Sequence, residues 1–581
     1  MPNERAIQTQ APIDRPTFAI LIEGEDISRE YQVAALTVIK QVNRISTAKI
    51  LLHDGDPARG DFEVSNSEMF IPGKEIEICG GYHSLENTLF RGIITGHGIK
   101  ARQRRPSMLS IECRHSAFRM SLYRRSAYFS ELKDSDLFTQ MAENYSIGSE
   151  IEETSVEHAE LVQYNCTDWD FMLTRAEANG QQVLTNRNEL QIGPPDFSAD
   201  PVQTLTYGAT LLEFEAEIDA RDQIASVSSE SWDSAGQELF SRDGSADEVE
   251  TPGDLLFEEL ADVAAQQAPV QRSGSQLRED ELQAWSDARL QKQRLAKVQG
   301  RARCTGIDVN PGDLIELEGV GDRFRGRAFV SGIRHEFSGG PWTTDIDIGL
   351  PAEWFAEKFP VSSPPASALL PAVSGLQIGI VTAIVGDPDG EDRVRVRVPV
   401  IAPDVDGVWA RVACLDAGEE RGTFWRPEIE DEVVLGFLND DPRDAIILGM
   451  LNSSAKPAPL ASSDDNHEKG IVTRSGMKMI WNDEKVSLTI ETPAGKKIVI
   501  DDDAESILLE DDYSNKLEMN SAGISYESQG DITIKATGDL KLEGMNVEVK
   551  AQMEMKAEGG VEAKLVGGAT AKVEAGVVMI N

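Results

Sequence analysis

The chain has 581 residues, and its 99 acidic residues against 56 Lys and Arg give a formal net charge of −43. At roughly 150 residues per domain, this length predicts about three or four domains. A surface this acidic repels phosphate groups, which argues against binding nucleic acid or anionic lipid headgroups as a main role. The low aromatic content of 6% and the 48 glycines favour a globular fold rich in strands and turns.

The sequence shows no signs of a membrane segment, a leader or a cysteine framework. It has no window of about 18 apolar residues, so we expect no spanning helix. Its start, MPNERAIQTQAPIDRPTF, lacks the apolar core of a secretory signal, so we expect assembly in the cytoplasm or export by a route that needs no cleaved leader. The cysteines lack CxxC spacing, which favours buried free thiols over zinc ligands or disulfides. They are Cys79, Cys113, Cys166, Cys304 and Cys414.

From residue 16 to about 220 the sequence predicts strands separated by glycine-containing turns. One helix is expected over Asp168–Gly180, with Asp168 as the N-cap and Gly180 as the C-terminal stop. Residues 225–275 are rich in Ser, Glu and Asp, so we expect a flexible acidic excursion there. Within it, a short helix is expected around Leu255–Ala265.

A further helix is predicted from residue 281 to Gly300, followed by strands up to about residue 350. A Pro/Ser-rich linker at 360–375 ends this first domain region, which we place at 1–375. Residues 376–451 contain five alternating strands joined by tight turns, the size and strand count of an OB-type barrel. We therefore assign 376–455 to an OB-fold domain.

A linker at 456–469 leads to the C-terminal region, 470–581, which carries the clearest repeat in the sequence. Two apolar residues, two positions apart, recur about every eight residues. The pairs are Ile532/Ile534, Leu540/Leu542, Val547/Val549, Met555/Ala557, Ala563/Leu565 and Ala571/Val573. Upstream the pattern persists more loosely, as at Ile498/Ile500 and Ile507/Leu509.

An eight-residue repeat provides one short strand and one turn, whose two inward side chains cannot enclose a core. A single-chain β-helix needs about twenty or more residues per coil to form three faces. The simplest closure uses three chains that each supply one face of every layer. We therefore expect a stiff homotrimeric shaft without a lateral sheet edge.

The order of these parts resembles the VgrG family, the trimeric hub and spike proteins of type VI secretion and related contractile injection systems. It is also similar to the fused hub and spike of contractile phage tails. The resemblance covers essentially the whole chain. The segments that carry it most specifically are 163–180 (QYNCTDWDFMLTRAEANG), 300–350 and 427–452 (PEIEDEVVLGFLNDDPRDAIILGMLN).

The resemblance implies a mainly β protein: tandem hub β-barrel domains with small helices, an OB-fold barrel, and a C-terminal intertwined trimeric β-helix. It also implies a function, in which a homotrimer caps the inner tube, adapts three-fold to six-fold symmetry and punctures the target membrane when a sheath contracts. The implied partners are the inner tube protein, baseplate proteins and a PAAR-type tip protein, with an effector cargo as a further candidate. The particle would deliver the spike outside the cell or into the target.

Two other functional classes stay open at this point. One is a trimeric tail-spike depolymerase, against which the short repeat argues, because an enzymatic β-helix needs longer coils. The other is a passive fibre or adhesin, which would not need a hub-like region of 350 residues. The stretch 453–470 is far too short for an inserted enzyme domain, and the chain stops directly after the repeat. We therefore expect no enzymatic activity.

The remaining candidate residues favour structural roles over chemistry, and we expect no catalytic, cofactor or metal site. The group Trp169, Asp170, Phe171 and Arg175 is interpreted as a hub structural motif, with Arg175 and Glu177 supporting the helix by ion pairs. His335 with Asp345 and Asp347 lacks the spacing of a metal site. The acidic clusters Asp501–Asp503 and Asp511–Asp512 are interpreted as solvated turns, since they lack the spacing of a calcium loop.

Two surfaces are predicted to contact other proteins. The basic run at 100–125, which includes Arg104 and Arg105, is interpreted as protein-facing, because the acidic chain argues against nucleic acid. At the other end, apolar residues after the last repeat would leave an uncovered tip. We place the tip-protein interface at Val577, Val578, Met579, Ile580 and Asn581.

Overall fold

The computed structural model describes residues 15–580 except 84, 104, 187–188, 247–248 and 265–267. The chain divides into two compact units. The first consists of Met1–Gly375 with Phe437–Ala445, and the second of Leu376–Gly436 with Ile446–Asn581. None of the helices in the described part is long and apolar enough to cross a bilayer.

The first half of the first unit contains the elements β1 (Thr17–Ile22), β2 (Glu25–Asp26), β3 (Val33–Gln41), β4 (Thr47–His53), β5 (Glu75–Tyr82), β6 (Leu85–Arg102), β7 (Arg105–Arg114), β8 (Arg124–Lys133), α1 (Asp134–Asn144), β9 (Gly148–Ile151), β10 (Glu157–Thr167), α2 (Asp168–Ala178), β11 (Gln182–Asn186) and β12 (Glu189–Gly193). The second half contains β13 (Gln203–Thr206), β14 (Leu211–Ile218), β15 (Ser228–Asp233), β16 (Glu238–Asp243), α3 (Phe257–Ala264), β17 (Val270–Ser273), α4 (Glu279–Leu295), β18 (Val298–Thr305), β19 (Leu314–Glu318), β20 (Gly326–Ser338), β21 (Trp342–Ile348) and α5 (Phe355–Lys358).

Thirteen strands of the first unit form one continuous sheet, which we call the hub sheet. Its order is β14-β18-β21-β20-β3-β4-β7-β6-β5-β1-β2, with β19 and β13 branching from β20. Two separate hydrophobic cores lie against it. One is centred on the N-terminal strands, with Leu36, Ile50 and Ile78 fully buried. The other is centred on the strands near residue 330, with Ile315 and Ile346 fully buried. The two halves predicted as tandem barrels are therefore joined edge to edge by the β3–β20 ladder.

A helical layer accompanies the hub sheet, and besides the four-residue α5 it contains one longer helix that the sequence analysis missed. The predicted helix at 168–180 is confirmed as α2, but its N-cap is Thr167, whose hydroxyl accepts from the Asp170 amide at 3.0 Å. The missed helix is α1, in which Leu137, Phe138 and Met141 are buried at helical spacing. Their pattern was present in the sequence, where the surrounding strands obscured it.

The acidic segment 225–275 is not the excursion expected from its composition. The strand β15 pairs antiparallel with β16 and parallel with β17, and α3 lies where a short helix was predicted. The inward positions of β15 are Ser229 and Ser231, both fully buried, and the Ser231 hydroxyl donates to the Ser275 carbonyl at 2.9 Å. Serine thus takes the place of apolar residues in the two-residue alternation, because its hydroxyl is satisfied inside.

The helix predicted to run to Gly300 ends earlier, since α4 stops at Leu295 and β18 begins at Val298.

The second unit contains β22 (Gln377–Ala383), β23 (Val394–Arg397), β24 (Val408–Val412), β25 (Ala417–Gly418), β26 (Arg421–Gly422), β27 (Glu432–Phe437) and β28 (Ala445–Met450). The order β22-β23-β24-β28-β27 closes a five-stranded barrel, as predicted for the OB domain.

The C-terminal region begins with an antiparallel sheet that we call the shaft sheet. Its strands are β29 (Glu468–Val472), β30 (Lys478–Asn482), β31 (Ser487–Glu491), β32 (Lys497–Asp501), β33 (Ser506–Glu510), β34 (Lys516–Asn520) and β35 (Gly523–Glu527). Each strand pairs with the next one along the chain. Left-handed residues such as Gly476, Gly495 and Ser514 lie in the turns and allow the chain to reverse within a few residues.

Candidate functional surfaces

The predicted hub motif lies at the start of α2 and is part of the helical layer's core. Trp169 is 4% exposed and packs in the cluster that includes Leu137 and Leu173. Phe171 stacks on Phe129 with ring centroids 6.2 Å apart. Trp169 and Asp170 also border a cleft of about 500 Å³, which is lined mainly by apolar and basic side chains.

Arg175 joins a buried polar network, with partners that the sequence analysis did not identify. Its Nε and one Nη donate to the two carboxylate oxygens of Asp134 at 2.8 and 2.9 Å, and the Asp134 side chain is fully buried. His158 contacts the same carboxylate at 3.0 Å. Burial alone would raise the pKa of Asp134, but the hydrogen bonds from Arg175 and His158 outweigh it and hold that pKa well below its usual range.

Arg175 and Glu177 do not pair with each other, and each forms an ion pair with a different element. Side chains two positions apart on a helix do not face each other. Glu177 instead accepts from Lys292 of α4 at 2.7 Å and from the backbone amide of Phe355 at 2.6 Å. Arg175 and Glu177 thus join different neighbouring elements to the same helix.

His335 does not form a metal site with the aspartates nearby. It is buried in the hub sheet, where its Nδ1 is 2.9 Å from the Thr344 hydroxyl. Asp345 and Asp347 are ion-paired with Arg303 and Arg301. Among the residues that the structure describes, no cluster of His, Cys, Asp and Glu side chains could hold a metal ion.

Two buried histidines make the hub sensitive to acid. Burial, with the nearby positive charge of Lys40 as a smaller cause, lowers the pKa of His335 to about 3 and that of His115 to about 4. Both rings are therefore neutral in the folded protein, whereas in the unfolded chain they take up protons below pH about 6.5. As the pH falls from about 6.5 toward 4, the free energy of unfolding should decrease by about 1.4 kcal/mol per pH unit for each histidine.

Urea unfolding at pH 7 and pH 5 measures this loss of stability. The His335→Gln variant should remove about half of the pH-dependent part, because it removes one of the two titrating groups. His53→Gln, which removes an exposed imidazole at the end of β4 instead of a buried one, provides the matched control. Equal profiles for all three chains would contradict the assignment.

Other sequence predictions have mixed outcomes. Three of the five cysteines are buried, but Cys79 is half-buried and Cys414 is exposed. Asp501 and Asp511 each accept a hydrogen bond from a backbone amide of their own turn, for example Asp501 from Ala504 at 2.8 Å.

Within the basic run at 100–125, Arg125 is ion-paired with Asp168, and Arg124 donates to the carbonyls of Asn165 and Val361. Arg104 lies outside the described residues, and the predicted role of the run stays a prediction.

The shaft sheet has one charged face and one apolar face. On the charged face, ion pairs join neighbouring strands, for example Lys497 with Glu510 at 2.8 Å and Lys516 with Glu527 at 3.4 Å. On the apolar face, every strand from β30 to β35 contributes two large side chains that are cross-strand neighbours. They form two rows: Met479, Ile490, Ile498, Leu509, Leu517 and Tyr526, and Trp481, Leu488, Ile500, Ile507, Met519 and Ile524. The face is only partly covered, with Ile498 and Ile500 more than 40% exposed.

Residues 528–580, which we call the distal repeat, differ from the shaft sheet. Within this fully described stretch no strand pairs with another strand of the same chain, and no turn residue has a left-handed conformation. Its apolar pairs are exposed: Ile532, Ile534, Leu540, Leu542, Val547, Val549, Met555 and Val573 lie between 57% and 72%. The single repeat predicted from 470 onward is thus two repeats that differ in where their backbone hydrogen bonds are made.

The predicted tip residues lie at the end of the distal repeat. Val577 and Val578 are exposed, while Met579 is 87% and Ile580 is 90% exposed. Asn581 lies outside the described residues. The structure therefore leaves four consecutive apolar side chains uncovered in the single chain.

Two sequence families match the chain. Residues 12–339, more than half of its length, match the family described as the Alg8 N-terminal domain. Residues 377–451 match the type VI secretion system/phage-baseplate injector OB domain, which coincides with the closed barrel. No curated protein sequence matches the chain.

Solved structures with a similar fold include tail and secretion proteins. A Neisseria meningitidis MC58 tail protein is 13% identical and covers 59% of this chain and 98% of its own, with a TM-score of 0.44. An E. coli type VI secretion component is 12% identical over 74% of this chain and 99% of its own, at 0.37. The Francisella PdpA-VgrG complex is 9% identical over 90% and 89%, at 0.38.

These TM-scores lie below 0.5, so the assignment rests on the two family matches. The OB match confirms the OB-fold barrel, and it agrees with the resemblance of the sequence motifs to proteins of contractile injection systems. The chain therefore belongs to the family of the Alg8 N-terminal domain, and its closed barrel is of the type VI secretion system/phage-baseplate injector OB type.

Proposed function

We propose that this protein is a homotrimeric central spike that caps the inner tube of its particle and punctures the target membrane when the sheath contracts. The observation that carries the proposal is the uncovered apolar surface of the C-terminal region. It extends through both rows of the shaft sheet and continues into the pairs of the distal repeat. Three copies can bury it around a common axis.

The distal repeat supports three chains more strongly than two. Its backbone groups have no partner strand within the chain, and an unpaired backbone group costs free energy when it is buried. Each eight-residue unit supplies two inward side chains, enough for one face of a narrow prism. Interleaving three chains pairs the backbone groups and buries the apolar pairs at the same time.

The hub supports the adaptation from three-fold to six-fold symmetry. Each chain encloses two cores along one sheet, one containing Ile50 and the other Ile346. Three chains would thus present six similar edges to a six-fold tube. In this role the sheath performs the work of penetration, and the spike needs stiffness and no enzymatic activity.

Sedimentation equilibrium of the purified chain tests the proposal. We expect a mass three times the 63.6 kDa of one chain and co-sedimentation with the tube protein of the same particle. A depolymerase would release glycan fragments from surface polysaccharide, and an adhesin would bind cells without binding the tube. A chain that sediments as a monomer would contradict the proposal.

The exposed end of the distal repeat is the proposed seat of a PAAR-type tip protein. Met579→Asp with Ile580→Asp places charges on the two most exposed residues of this end. We expect binding of the tip protein to be lost while the trimer persists, because the repeats above are unchanged. Lys572, whose ion pair with Glu574 lies on the polar side, provides the control variant Lys572→Gln. Retained binding in a pull-down would contradict this placement.

A further inference from the structure

One segment of the OB domain exposes large apolar side chains, although hydrogen bonds within the segment fix its conformation. We call residues 414–425, between β24 and β27, the OB arm. Leu415 is 97% exposed, Phe424 is 78% exposed, and Trp425 is also exposed. Exposed aromatic and aliphatic groups clustered in one segment mark a surface that contacts another protein.

The arm is held in shape by contacts of its own. The short strands β25 and β26 pair within it, and the Thr423 amide donates to the Asp416 carbonyl at 2.8 Å. Arg421 is ion-paired with Asp416 at 2.9 Å. Leu415 and Phe424 flank this ladder on neighbouring positions, so they present one apolar patch. Such a preformed surface loses little conformational entropy when it binds.

The tip of the arm carries two carboxylates. Glu419 and Glu420 are exposed, and in the described part of the chain neither takes part in an ion pair. Glu420 has φ of +52°, a left-handed conformation in which glycine is favoured. The two-residue turn between β25 and β26 requires this conformation, and it leaves both carboxylates in solvent.

A matching positive charge lies at the root of the same arm. Arg411 of β24 points away from the barrel interior, next to the buried Ala410, and is exposed. No ion pair or hydrogen bond of its side chain is found in the described residues, whereas Arg395 of β23, which lies opposite Trp409, is paired with Asp406 at 3.2 Å.

The stretch that follows the arm contacts the start of the shaft sheet. Glu428, three residues beyond it, accepts from Arg474 in the turn after β29 at 2.6 Å. Lys456 lies 3.7 Å from Asp431 in the same stretch. Three copies related by a three-fold axis place their three OB arms at the same height along that axis.

We propose that the OB arm of one copy docks on the OB barrel of a second copy, a contact that rests on the proposed trimer. Leu415 and Phe424 bury their side chains against the second copy, while Glu419 and Glu420 pair with its Arg411. The tip of one arm thus meets the root of the next. Repeated three times, this head-to-tail contact closes a ring.

Zero-length cross-linking of mixed-isotope trimers tests the contact. The Arg411→Lys variant keeps the charge and supplies an amine that a carbodiimide can join to a nearby carboxylate. Trimers refolded from equal amounts of heavy and light chains should yield links from Lys to Glu419 or Glu420, about half of them between a heavy and a light peptide. The matched control is Arg395→Lys, which should link to Asp406 within its own chain.

Charge reversal provides an independent measurement. Glu419→Lys with Glu420→Lys should lower the trimer association constant about tenfold, since three contacts lose their ion pairs. Adding Arg411→Glu to the same chain should restore it. A trimer without mixed-isotope links, or without rescue, would overturn the docking of the arm. A wild-type chain that remains monomeric would instead overturn the proposed trimer itself.

Discussion

The Leu540→Asp, Leu542→Asp double variant is expected to remain monomeric, the largest effect that the structure predicts. These two residues form one apolar pair of the distal repeat, and both are more than half exposed in the single chain. Burying a leucine contributes about 2 kcal/mol, so six of them in a trimer contribute about 12 kcal/mol. Aspartate removes this contribution and places six carboxylates in an apolar interior, which opposes association further.

The residue between them provides a matched control. Lys541 occupies the alternate position between the two leucines, so Lys541→Gln should form the trimer as readily as the wild type. Sedimentation velocity at equal concentrations distinguishes the three chains. If the double variant still assembled into trimers, the distal repeat would not be the interface.

Loss of the buried network in the hub is expected to have the second largest effect. Arg175→Ala leaves the fully buried Asp134 carboxylate without its two guanidinium hydrogen bonds. Removing one partner of a buried ion pair typically lowers the free energy of unfolding by about 3–5 kcal/mol. Arg175→Lys keeps the charge but cannot donate two parallel bonds, so an intermediate loss is expected.

Guanidinium chloride unfolding followed by tryptophan fluorescence measures both variants. The control is Arg221→Ala, because Arg221 pairs with Asp219 on the surface and its side chain is 87% exposed. That variant should keep the wild-type midpoint. An Arg175→Ala chain with an unchanged midpoint would mean that the motif of α2 does not hold the hub together, and the group around Trp169 would then need another role.

Patterns within short stretches of the sequence predicted the OB barrel and the helix α2. The OB barrel was predicted because each strand alternates buried and exposed residues, as in β23, where Val394 and Val396 face inward. The helix α2 was predicted because apolar positions at helical spacing precede Gly180. Composition misled at 225–275, where the inward positions of β15 are serines whose hydroxyls are satisfied by other segments.

Contacts between distant segments could not be predicted from spacing. The partner of Arg175 is Asp134, 41 positions earlier on another helix, and only the packing of α1 against α2 brings them together. The ladder between β3 and β20, which joins the two hub halves, connects residues about 290 positions apart, as at Ile39 and Arg334. No periodicity of either strand identifies the other.

The sequence by itself determined which side chains of the C-terminal region are apolar and at what period, because inward positions of a strand recur every second residue. Only the tertiary structure decided that strands up to Glu527 pair within one chain while those beyond it do not. The two-residue alternation is identical in both cases. Pairing depends on whether the turns between strands reverse the chain, and those turns carry left-handed residues only in the shaft sheet.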